Sequence, residues 1–365
     1  MVLEKSTPVT RERNWGIDLL RIVSMFMVVL LHILGPGGII YESGKLTPMY
    51  NIVWLVEMMA FCAVNCYGLI SGFVGVDTKF KYSNFVLIWL QVVFYTVGIT
   101  LFFHFKYPDT IPLSQVIRSA FPVSHNFYWY FTAYAGLFFL MPLLNKGVKS
   151  LSKKQAAILI ITMFFGLSVL PLISGTDPFR VVQGYSTVWL IFLYLVGAYV
   201  KLHGLFKSKI ILPLILYAAA TFTSWGMKLY NETVAPCDKW NELASGVYVQ
   251  YSAPMAFISG LAIFLIFSQI KLSPKAGKVI SFISASSFGV YIIHNHPLMW
   301  DRLITYKYAS YVNLSIPKLL GAVLLTAICF FAVLSLVDTV RLLLFKLLKL
   351  KPLLQKAENK ILGEL

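Results

Sequence analysis

Six titratable side chains stand inside stretches that are otherwise apolar: Asp18, Arg21 and His32 in the first, Glu57 in the second, His294 late in the chain and Asp338 near its end. Arg21 and His32 are eleven residues apart. In a helix that spacing is 20° past three full turns, so both lie on one face, about 16 Å apart along the axis. Asp18 is one turn before Arg21 and can pair with it. A neutral imidazole with a carboxylate partner is a general base for a hydroxyl nucleophile, and a guanidinium is a fixed donor for phosphate or carboxylate. The set suits a reaction with an anionic donor at one end of the stripe and a hydroxyl acceptor at the other. A chain of Asp, Glu and His would equally serve a proton-coupled transporter. A plainer alternative is an Asp18–Arg21 pair at the headgroups with one hydrogen-bonded histidine above it.

The elements that must carry these residues are membrane helices. Of 365 residues, 58% are hydrophobic and only 13% charged, with mean hydropathy +0.75. Soluble domains carry about 25% charged residues, so a water-soluble enzyme is excluded, and so is disorder. Apolar runs fall at 17–36, 52–75, 84–105, 127–145, 155–173, 187–202, 209–229, 248–269, 279–299 and 318–340. These are ten candidate spans, each close to the roughly 20 apolar residues a helix needs to cross a bilayer, 187–202 being the shortest. The first is too long for a signal-peptide core, and Gly35-Pro36-Gly37-Gly38 is no cleavage site, so it reads as a signal anchor.

Ten spans with both ends inside distribute the basic residues one-sidedly. Inner segments carry 21 of the 31 Lys and Arg, outer segments nine, and Arg21 lies within a span. Every inner segment obeys the positive-inside rule. This accounts for most of the +16 net charge without nucleic acid. The reading is an all-α, polytopic helical bundle with cytoplasmic termini. It divides into a cytoplasmic segment 1–16, a membrane domain 17–340 and a basic amphipathic tail 341–365 on the inner surface. Four cysteines, Cys62, Cys66, Cys237 and Cys329, show no zinc spacing and read as structural, with no metal expected.

Depth sharpens the site. The first span runs outward and puts His32 in its outer third. Glu57, near the start of the inward second span, lies at similar height, as does His294 at the end of the outward ninth, with His296 just above. His125 opens the fourth span one turn before Trp129, and Ser287, Tyr291 and His294 share one face. The sequence sets height but not rotation, so convergence of His32, Glu57 and His294 is an expectation; helix–helix hydrogen bonding is the alternative for Glu57 and for His294. Ser71 lies at the inner end, and its Ser-Gly pair favours close helix contact over nucleophilic chemistry.

Several stretches resemble, in order, the motifs of the membrane acyltransferase 3 family. They are Arg21-x10-His32 within Gly-Ile-Asp-Leu-Leu-Arg, Leu69-Ile70-Ser71-Gly72-Phe73, His125-Asn126-Phe127-Tyr128-Trp129-Tyr130, and Ser287-Phe288-Gly289-Val290-Tyr291-Ile292-Ile293-His294. The resemblance implies transfer of an acyl group, commonly acetyl, from cytoplasmic acyl-CoA to a sugar hydroxyl beyond the plasma membrane of a bacterium. It implies no tightly bound cofactor. Arg21 and His32 carry over best, with Arg21 at the donor. Glu57 and His294 are further catalytic candidates, and His125, Trp129 and Tyr291 are candidates for substrate contact. Some relatives add a C-terminal SGNH-type hydrolase domain that this sequence lacks, so an envelope-biosynthesis partner is a further expectation. The acceptor is a cell-surface glycan or its lipid-linked precursor. A transporter or flippase is the alternative function.

Overall fold

The computed structural model describes residues 13–205, 209–234 and 248–363. Their order is α1 (Trp15–Leu34), α2 (Ile39–Glu42), α3 (Pro48–Ala60), α4 (Ala63–Gly75), α5 (Tyr82–Lys106), α6 (Leu113–Ser119), α7 (Trp129–Ser150) and α8 (Lys153–Phe164). There follow α9 (Leu170–Ser174), α10 (Thr187–His203), α11 (Ile211–Val234), α12 (Pro254–Ser268), α13 (Pro274–His294), α14 (Pro297–Leu303), α15 (Ile316–Leu347) and α16 (Leu350–Leu362). There is no strand among the described residues. Cys237 lies outside them.

Each of the ten expected apolar runs carries a helix. Six helical stretches are long and apolar enough to cross a membrane: Trp15–Leu34, Pro48–Gly75, Tyr82–Lys106, Lys153–Ser174, Pro274–His294 and Ile316–Leu347. Two more, α10 and α12, are apolar but shorter. The second run is broken at Phe61–Cys62 into α3 and α4. The fifth passes through a π-helical turn, Phe165–Val169, just before Pro171, whose ring cannot sit in an undisturbed helix. The chain is thus a polytopic all-helical membrane protein in which the start of α1 and the last described helix, α16, lie on one face, called here the terminal face. The opposite side is the far face.

Lipid tails are as apolar as leucine, so burial of apolar area does little to hold membrane helices together; close backbone approach does more. Gly68 and Gly72 of α4 face α10, and a Cβ on Gly72 would strike the carbonyl of Tyr194, while one on Gly197 would strike that of Leu69. Large apolar side chains also face outward along the helices: Phe105 is 76% exposed and Leu336 69%. Polar groups fasten the rest. Asp338 of α15 is fully buried, bonded by Arg341 Nε (2.9 Å) and Nη2 (2.7 Å) and by Tyr95 OH (2.8 Å), and Gly289 leaves it room against α13. The expected tail boundary at 341 therefore falls within α15, which continues to Leu347 before Lys349 (φ 51°) turns the chain into α16. There Glu358 accepts from the backbone N–H groups of Tyr82 (2.6 Å) and Ser83 (3.2 Å), capping the start of α5.

Candidate active site

The site is built on α1. Asn14 caps the helix by accepting from Ile17 N–H, and its amide donates to the Ser268 carbonyl, fixing α1 against the end of α12. One turn on, the buried Asp18 carboxylate gathers three donors: Arg13 Nε at 2.6 Å, Arg21 Nη1 at 2.6 Å and Ser281 Oγ at 3.0 Å. Two guanidiniums share one carboxylate, so the group keeps a net positive charge. Arg21 borders two polar clefts of the terminal face. One, of about 340 Å³, also holds Arg13 and Lys201; the other, of about 270 Å³, holds Ser71, Lys79, Lys81 and Asn145. Ser71 Oγ is engaged in its own helix, donating to the Tyr67 carbonyl.

Three turns further along α1, His32 meets His294 of α13. Their proton positions follow from the partners. His294 Nδ1 lies 2.5 Å from the Val290 carbonyl, which only accepts, so Nδ1 carries the proton. His294 Nε2 is then an acceptor, taking Asn295 Nδ2 and His32 Nδ1, each at 2.9 Å. His32 Nδ1 must be the donor, which leaves the His32 lone pair on Nε2. That nitrogen has no hydrogen-bond partner among the described residues. Trp300 of α14 holds the ring edge-on, with centroids 4.9 Å apart. His32 borders a cavity of about 50 Å³ together with Tyr67, Trp129, Tyr130, Tyr251 and Tyr291. This is room for a hydroxyl or a water or two.

The clefts and this cavity share a wall. Tyr67 borders both the Lys79/Lys81 cleft and the His32 cavity, and its hydroxyl donates to the Arg21 carbonyl at 2.7 Å. On α7, Tyr134 borders the cleft and Tyr130, one turn away, borders the cavity. The stripe expected from the Arg21–His32 spacing is therefore lined by tyrosines from α4 and α7.

Glu57 lies beyond His32 on the far side. A Cβ placed on Gly35 would sit 3.8 Å from its Oε1, while its buried Oε2 has no hydrogen-bond partner. It bonds neither histidine. Trp129 joins an aromatic group with Tyr185 (centroids 4.5 Å) and Tyr251 (5.9 Å). Ser252, next to Tyr251, borders a polar far-face cleft of about 630 Å³ with Asp177, Arg180, Gln183 and Gln250. Here the backbone is strained: Arg180, Val182 and Gln183 all have φ near the left-handed region, at 50°, 52° and 57°, and Val182 is β-branched. So His32, His294, Trp129 and Tyr291 come together, Glu57 lies close by without bonding to the rings, and Arg21 stands at the other end. His125 is exposed, beside the Phe121 carbonyl, and does not border the cavity. His296 is buried against Thr100 of α5 (3.3 Å).

Sequence reasoning missed Trp300, Tyr67, Tyr251 and Asn295. Asn295, a polar residue directly after His294 in an apolar run, carried a usable signal; a tyrosine or tryptophan near a span end looks the same whether it meets lipid or a partner. It also missed Lys228, read as an outer-segment charge. Lys228 is buried, 2.5 Å from Glu232 Oε1 and 2.9 Å from Tyr50 OH, with Trp54 beneath it.

The described helices thus form a bundle with a hydrogen-bonded imidazole pair at one end of a tyrosine-lined stripe and clustered guanidiniums at the other. The model of the acyltransferase 3 family, described as an acyltransferase domain, matches residues 14–338. The chain belongs to that family and is a membrane acyltransferase. Neither the curated proteins nor the solved structures gave a match.

Proposed function

We propose that the protein transfers an acyl group, acetyl being the simplest, from cytoplasmic acyl-CoA to a hydroxyl of an extracytoplasmic cell-surface glycan or its lipid-linked precursor, in the plasma membrane of a bacterium. The observation that carries the reading is the His294–His32 proton chain, which leaves a basic nitrogen at a cavity whose Tyr67 wall also borders a cationic cleft.

Phosphates of the CoA moiety bind at Arg21, Arg13, Lys79, Lys81 and Lys201, where guanidinium and ammonium groups gather on one face. The pantetheine arm extends past Tyr67 and Tyr134 and brings the thioester to the His32 level. His32 Nε2 takes the acceptor's hydroxyl proton as its oxygen attacks the thioester carbonyl. The tetrahedral intermediate collapses, the C–S bond breaks, and the proton passes from His32 to the departing thiolate, giving the ester and free CoA. His294 is a positioning residue: it holds the His32 tautomer, as the second partner does in a catalytic triad. Trp129, Tyr185 and Tyr251 offer stacking faces for a sugar ring, and Glu57 would accept from one of its hydroxyls. His125 belongs to the approach on the far face. An envelope-biosynthesis partner would present or remove the glycan.

The test is mass spectrometry of surface glycans from cells with and without the protein, paired with CoA release by the purified protein. Acylated residues that vanish with the protein, and CoA release that requires an acceptor, support the reading. Unchanged glycans with uptake of a polar solute and no CoA release would favour transport.

A further inference from the structure

The far-face half of α5 and the short helix α14 enclose a groove of about 840 Å³ that opens on the outer surface of the bundle. Its walls are apolar, formed by Phe94, Gly98, Phe102 and Phe103 of α5 with Met299 of α14. Arg302 is the one charged residue lining it among the described residues. The guanidinium is held in place: its Cζ lies 4.1 Å over the Phe103 ring, and Nη1 donates to the Leu298 carbonyl at 2.7 Å. Lys106 ends the same helix, its Nζ 5.4 Å from the Tyr107 ring that Arg302 also approaches at 5.8 Å. Neither cation pairs with a carboxylate among the described residues.

An apolar trough with a fixed guanidinium at its rim, and a second cation close by at the end of α5, has the charge and polarity pattern of a phosphate-headed lipid: chain in the trough, phosphate at the rim. A bulk apolar helix face would not need a fixed guanidinium at its rim. The groove's position gives the lipid a role. Trp300, two residues before Arg302 on α14, packs against His32, so this short helix separates a phosphate at Arg302 from the imidazole pair. On α5, Thr100 lies within the groove-lining stretch and contacts His296, two residues beyond His294.

We propose that this groove binds the lipid phosphate of a lipid-linked glycan in the far leaflet and thereby presents its sugar to His32. What the bound lipid does rests on the acyltransferase reading above; that it binds does not.

The full-length protein in phosphatidylcholine nanodiscs is titrated with a polyprenyl monophosphate and with the matching neutral polyprenol, and occupancy is read by native mass spectrometry. Two variants are compared with wild type. Arg302→Gln removes the charge. Gly98→Leu fills the trough at a position where an added Cβ meets nothing within 4 Å, and thermal unfolding confirms that the variant is folded. Wild type binds the phosphate at least about tenfold more tightly than the alcohol, the size of one charge-assisted hydrogen bond, and Arg302→Gln cuts that preference several-fold, leaving the weaker share due to Lys106. Gly98→Leu weakens both ligands. Equal binding of phosphate and alcohol, variants that bind as wild type does, or displacement by an equal amount of phosphatidylglycerol would each overturn the proposal. CoA release with a soluble sugar acceptor is measured in parallel. Lipid binding without transfer overturns the functional reading alone; transfer without lipid binding overturns this one alone.

Discussion

His32 Nδ1 stands 2.9 Å from His294 Nε2, and the Val290 carbonyl beneath His294 gives that bond its direction. Two residues 262 positions apart in sequence thus set which nitrogen of His32 is basic. His294→Ala removes the acceptor and frees the ring to turn. Loss of such an orienting partner should cost part of the about 10²–10⁴-fold that a general base supplies. We expect the loss in kcat, with KM for acyl-CoA unchanged, because the donor cleft is some 16 Å away along α1. His294→Gln keeps an acceptor oxygen and should recover part of the rate. Steady-state kinetics on the three proteins checks this; a KM effect alone would remove His294 from the proton chain.

Arg21 bonds Asp18 through one nitrogen and borders both terminal-face clefts. Arg21→Lys keeps the charge and loses the planar fork. KM for acyl-CoA should rise about tenfold, the value of one lost charge-assisted bond, and affinity for CoA should fall by a similar factor in calorimetry. A large fall in kcat at unchanged CoA affinity would place Arg21 in the chemistry instead.

The heights of these groups were legible in the sequence, because an eleven-residue spacing in a helix and the alternation of span direction fix them. The Asp18–Arg21 pair followed from i,i+3 spacing and is present. Rotation was not legible. Nothing in the order of residues says that α13 turns His294 toward His32 while Glu57 turns past both, since helix phase is set by contacts such as Gly289 on Asp338. The burial of Lys228 was hidden for the same reason, since Tyr50 of α3 supplies a partner, as was the break at Phe61–Cys62, where the freed Met59 carbonyl is taken by the Tyr217 hydroxyl of α11.

Gly72 lets α4 and α10 touch through their backbones, and a methyl group there meets the Tyr194 carbonyl. Gly72→Ala should destabilise the protein by about 1–3 kcal/mol, the usual range for overpacking. Gly147→Ala, in α7 with open space around it, should be neutral or stabilising by about 0.5–1 kcal/mol. Thermal unfolding in detergent of both variants provides the comparison. Equal shifts would mean that the α4–α10 approach is looser than described.

Glu358 is slightly desolvated, which raises its pKa, but the bonds from Ser83 and Tyr82 and the nearby Lys81 outweigh this and hold the carboxyl below its usual range. A carboxylate depressed in the folded state contributes its stability above the ordinary carboxylate pKa and loses it as pH falls through the lower, folded value. The α16–α5 cap should therefore persist at neutral pH and open only under acid. Amide exchange at Tyr82 and Ser83, corrected for the intrinsic pH dependence, should rise in that window, and Glu358→Gln should remove the pH dependence. Protection that is independent of pH in the wild type would contradict the cap.

Transfer depends on His32 Nε2 acting as the base. The most direct measurement is acceptor-dependent CoA release by purified His32→Ala, with thermal unfolding confirming that the variant is folded. A lost general base predicts a fall of about 10²–10⁴-fold in kcat with acyl-CoA binding retained. A folded His32→Ala protein that releases CoA at the wild-type rate would contradict the account.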